Sequence, residues 1–72
     1  MLDKGDLITL SDNKEYVVAN TTTLDSLNYV YLITKDGLSD FKLCQIDEER
    51  QELLEVSNLN IIEKLLTIFS KR

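Results

Sequence analysis

The chain has no histidine, no proline and no tryptophan, and among its 72 residues there are one cysteine and two glycines. Each scarcity excludes something. Without histidine, the usual base that activates a serine or cysteine nucleophile is missing, and zinc sites built from Cys and His clusters cannot form. A single cysteine, Cys44, permits no intramolecular disulfide, whereas small secreted domains usually depend on several. It stands in the apolar run Phe41-Lys42-Leu43-Cys44-Gln45-Ile46 and reads as a small core residue. Gly5 and Gly37 are too few for a glycine-rich phosphate loop. No run approaches the ~20 apolar residues of a membrane-spanning helix. The segment Met1-Leu2-Asp3-Lys4-Gly5-Asp6 lacks the basic and apolar regions of a signal peptide, so the expected location is cytoplasmic.

What is present is the composition of an ordinary globular domain, 43% hydrophobic and 29% charged. Residues 1–72 make one small domain, with a core that buries about 60% of the unfolded surface. The net charge is −5 and unevenly spread: −3 over residues 1–46, −4 over 47–55 and +2 over 56–72. Apart from the terminal Lys71-Arg72 the bases are scattered singly, whereas phosphate backbones are bound by clustered Lys and Arg. General nucleic-acid binding is disfavoured.

Strand chemistry recurs in five short runs, at 6–10, 15–21, 28–34, 41–46 and 53–56. Ser11-Asp12-Asn13-Lys14 is a turn cluster between the first two, and Asp36-Gly37 signals a hairpin between the third and fourth. The polar stretch 20–27 reads as a loop whose outer threonines extend the second strand. Asp47-Glu48-Glu49-Arg50-Gln51-Glu52 reads as a solvated turn joining strands four and five, with cation binding or an acidic partner surface as its functional alternatives. The missing alternation of ligands and the missing central glycine argue against an EF-hand loop. Apolar residues at Leu59, Ile62, Leu65, Leu66 and Phe69 have helical spacing, which predicts a helix over about 58–70. Asn60 with Glu63 fits a capping box, and Ser57 or Asn58 are alternative caps. Lys71 and Arg72 suit the negative end of the helix dipole.

The third run is apolar on both faces: Tyr29, Tyr31 and Ile33 share one, Val30 and Leu32 the other. Such a strand is buried twice over, by the sheet's interior and by the helix, or keeps one face for a partner. The expected fold is mainly β: a small, strongly bent, five-stranded antiparallel SH3-like barrel with the C-terminal helix packed on it. The alternative is an open four-stranded sheet with the helix across one face.

The pieces Gly5-Asp6-Leu7-Ile8-Thr9-Leu10, the turn with Asp12-Asn13, Glu15-Tyr16-Val17-Val18, Asn28-Tyr29-Val30-Tyr31-Leu32, the charged turn before Leu53-Leu54-Glu55-Val56 and Ile62-Glu63-Lys64-Leu65-Leu66-Thr67-Ile68-Phe69 together span nearly the whole chain. In that arrangement the chain resembles a family of small uncharacterised proteins from low-GC Gram-positive bacteria. The resemblance implies a cytoplasmic domain and brings no site residues with it.

No catalytic, cofactor or metal residues emerge, and the expectation is a non-enzymatic protein-interaction module. Its candidate contacts are Tyr16, Tyr29 and Tyr31, or an exposed strand edge, and the acidic Asp47, Glu48, Glu49 and Glu52. One rival is a small acidic inhibitor from a phage or mobile element that occupies a nucleic-acid or protein site on its target. Another, by fold analogy alone, is an RNA-binding SH3-like or Sm-like barrel. Homodimerisation is compatible with each of these.

Overall fold

The computed structural model describes residues 2–36 and 40–70. Five strands and one helix follow in sequence: β1 (Leu7–Thr9), β2 (Glu15–Leu24), β3 (Leu27–Thr34), β4 (Phe41–Asp47), β5 (Glu52–Glu55) and α1 (Leu59–Ser70). The strands form one antiparallel sheet in the order β1-β2-β3-β4-β5, each paired with its sequence neighbour. The sheet curls into a half-barrel, the expected mainly β, SH3-like architecture with a helix packed on it.

Two irregularities at Val18 bend the sheet. In β2 the register with β3 shifts between Val18 and Asn20, so Ala19 is an extra residue. On the other side of Val18, Gly5 N–H donates to the Val18 carbonyl at 2.8 Å while Val18 N–H donates to Asp6 O at 2.9 Å. Gly5 sits at φ 97°, the glycine-led bulge geometry that side chains other than hydrogen resist. Bulges on both flanks of one residue bend β2 and sharpen its twist there, and the concave face closes around Val18.

Side-chain alternation then separates two cores. Tyr16, Val18, Val30, Leu32 and Cys44 are buried on the concave face, with Leu2, Ile8, Leu10, Ile46 and Leu53 packed around them. On the convex face Tyr29 and Leu43 are buried beneath Leu65 of α1, flanked by Leu24, Tyr31, Val56, Ile61, Ile62 and Phe69. The helix is capped by Asn58, whose Oδ1 accepts from Asn60 N–H at 2.9 Å and from Ile61 N–H at 3.3 Å, rather than by Asn60. The cations Lys71 and Arg72, expected at its end, lie outside the described residues, as does Gly37 of the Asp36-Gly37 hairpin signal.

Stretch 20–27 departs from the expected loop. β2 runs on to Leu24 and pairs with Leu27, leaving a two-residue turn, Asp25-Ser26, with φ 52° and 66°. The three threonines are β-branched and suit a strand whose pleat needs no apolar partner at every position.

A groove at the open seam of the half-barrel

β1 and β5 are the two outer strands of the sheet and are not paired with each other. Between them lies an open groove of about 900 Å³. Its floor is apolar: Leu2, Ile8 and Leu10 on one wall, Cys44 and Ile46 at the base, and Leu53 on the other wall. A cleft of this size was not legible in the sequence, because it belongs to the missing strand pair and not to any motif.

Polar groups gather at the two ends of β4. At the Lys42 end, the Lys42 ammonium donates to Glu55 Oε1 at 2.7 Å across the β4–β5 ladder. Beside it the β1–β2 turn holds Asp12, whose Oδ1 accepts from Lys14 N–H at 2.9 Å and whose Oδ2 accepts from the Tyr16 hydroxyl at 2.8 Å. Asp12 is held below the usual carboxylate range by the Lys14 N–H first and the Tyr16 hydroxyl second. Tyr16 is pushed up by burial and by that same bond. Lys42 is pushed up, chiefly by its bond to Glu55. Cys44 is pushed up by burial, which keeps it a thiol and a poor nucleophile.

At the far end of the groove stand Glu48 and Glu52, with Gln51 at φ 54° closing the β4–β5 turn. Glu48 is held in place by Asn28, whose Nδ2 donates to Glu48 Oε1 at 3.0 Å. Among the described residues four carboxylates, Asp12, Glu48, Glu52 and Glu55, therefore face one ammonium, Lys42, around an apolar floor.

The tyrosine surface expected from the sequence is corrected by this geometry. Tyr16 is fully buried on the concave face, whereas Tyr29, 3% exposed, lies under the helix on the convex face. Tyr31 is half-buried, edge-on to Phe41 at 5.8 Å between ring centroids and stacked on Phe69 at 5.6 Å. The three tyrosines share no surface, because burial in two separate cores has used them. The acidic turn divides between the groove and solvent. Glu48 and Glu52 reach the groove, Glu49 is exposed away from its lining, and Asp47 Oδ1 accepts from Arg50 N–H at 3.2 Å within the turn.

Among the described residues no group of His, Cys, Asp and Glu side chains is arranged to hold a metal, and no helix is long and apolar enough to cross a membrane. No protein-family model, curated protein or solved structure matches the chain.

Proposed function

We propose that this domain is a non-enzymatic protein-interaction module and that its contact surface is the open seam between β1 and β5. The observation that carries this reading is the pair of unpaired strand edges flanking an apolar groove. Soluble proteins blunt or cover such edges unless a partner uses them. The titratable groups at the seam support binding over catalysis. Asp12 is bonded to Tyr16, Glu55 to Lys42, and Cys44 is held as a thiol.

The ladder pattern defines the test. Val18 N–H bonds Asp6 O and Leu10 N–H bonds Lys14 O, so by antiparallel alternation the N–H of Thr9 turns away from β2 toward the seam. Proline at an outward-facing edge position removes a donor without breaking a ladder bond. Proteins captured from source-cell lysate by the native chain should be lost with Thr9→Pro, while circular dichroism and the urea midpoint stay unchanged. Undiminished capture by a folded Thr9→Pro variant sinks the reading.

A second reading has its own support. The exposed Glu48, Glu49 and Glu52 on one turn suit an inhibitor that places carboxylates in a cationic site of its target. Reversing those three charges would abolish such binding and leave Thr9→Pro without effect. The RNA-binding reading fares worse, since Lys35 pairs with Glu15 and Lys42 with Glu55 instead of clustering.

A further inference from the structure

We infer that the seam accepts one extended peptide segment of a partner protein, apolar at alternate positions and basic at both ends, which lies as a sixth strand between β5 and β1. This deepens the reading of the seam as the contact surface and rests on it.

The topology leaves room for a strand of this kind. Five antiparallel strands paired in sequence order leave β1 and β5 running in the same sense. They cannot pair antiparallel with each other, but a strand running opposite to both can pair antiparallel with each. The backbone is oriented for it. Val56 N–H donates to Leu43 O at 2.9 Å, which makes Leu43–Val56 a hydrogen-bonded pair. Alternation along the β4–β5 register then turns the N–H and C=O of Leu53 and Glu55 outward, as it does for Leu7 and Thr9 on β1. Both edges thus present two residues of free backbone donors and acceptors to the same gap.

The side chains specify the occupant. The inward face of an inserted strand meets Ile8, Leu10, Ile46 and Leu53, so its alternate residues are apolar. Its two ends meet Asp12 with Glu55 at one side and Glu48 with Glu52 at the other. Lys42, the one cation lining the groove among the described residues, is already bonded to Glu55. The outermost carboxylates, Asp12 beside Lys42 and Glu48, are separated by roughly 20 Å, the rise from Lys42 to Glu48 at about 3.4 Å per residue, with Glu52 and Glu55 inside that span. Two basic residues about six positions apart therefore span the site. A second copy of this chain is the wrong occupant, because it would bring its own acidic rim and its net charge of −5 against the same carboxylates.

The probe is a synthetic peptide with blocked ends, Lys-Thr-Val-Thr-Val-Thr-Lys, titrated into the full chain, its lysines and valines on one face of the strand. Its controls are the same peptide with both Lys replaced by Glu, and Lys-Thr-Thr-Val-Val-Thr-Lys, which keeps the composition and breaks the alternation. The expected result is saturable binding that weakens with salt, with slowed amide exchange at Leu53, Glu55 and Thr9 and slowed alkylation of Cys44 on the groove floor. The double variant Glu48→Lys with Glu52→Lys should lose about tenfold in affinity. Equal binding of either control overturns the inference, as does a failure of the probe to bind at millimolar concentration. If the probe fails while Thr9→Pro still abolishes partner capture, this inference falls and the seam remains the contact surface. Capture unaffected by Thr9→Pro removes both.

Discussion

A single buried phenol links the two sides of the pH scale in this domain. The Tyr16 ring is fully buried with Val18 and Leu32, and its hydroxyl reaches out to Asp12 at 2.8 Å. Asp12 is lowered, so the stability it contributes is present above the ordinary carboxylate value and is lost as pH falls through the lowered one. Tyr16 is raised, so its contribution is complete below the ordinary phenol value and is lost as pH rises toward the raised one. Tyr16→Phe keeps the ring and removes the bond. Urea denaturation across a pH series should show the native chain more stable than this variant near neutrality, with the gap narrowing toward both extremes. A gap that stays constant from acid to alkali would mean that the bond contributes nothing to the pH dependence. The role of Tyr16 was not readable from its neighbours in sequence. Alternation correctly puts Tyr29 and Tyr31 on the face opposite Val30 and Leu32, but which face the helix covers depends on where the chain returns after β5. That return is a tertiary fact, and it turned a supposed binding surface into core.

At the scale of elements, the β2–β3 hairpin shows where local chemistry was too quiet to hear. Asp25 and Ser26 both hold left-handed φ, the geometry of the two-residue turn that Asn-Gly favours most. Asp and Ser adopt it with less ease, so the sequence carries a polar stretch where a glycine would have announced a hairpin. Replacing the pair, Asp25→Asn with Ser26→Gly, should stabilise the domain by about 0.5–1 kcal/mol, because less left-handed strain is held in the turn. The urea midpoint would move up with unchanged slope, and a downward movement would show that these side chains do more than turn the chain. The other elements were legible for opposite reasons. The helix announced itself through the spacing of Ile62, Leu65, Leu66 and Phe69, and β3 through an unbroken apolar run between polar boundaries. The groove was not legible because its walls, β1 and β5, are distant in the chain and defined by a pairing that is not made.

At the scale of the whole molecule, every strand pairs with its neighbour in sequence, so each step of sheet formation closes only a short loop. There is also no proline in the chain. Refolding after a jump out of urea should therefore be complete without a phase of tens of seconds, the signature of prolyl isomerisation. Stopped-flow fluorescence of the tyrosines would record it, and a persistent slow phase would point to an off-pathway or associated species. The missing β1–β5 pair has a kinetic side as well. A barrel that closes on itself must bring its first and last strands together, the most entropically demanding of its contacts. Here that step is absent from folding, and in the proposed complex it becomes a bimolecular event, with a rate set by partner concentration and by the acidic charge at the rim.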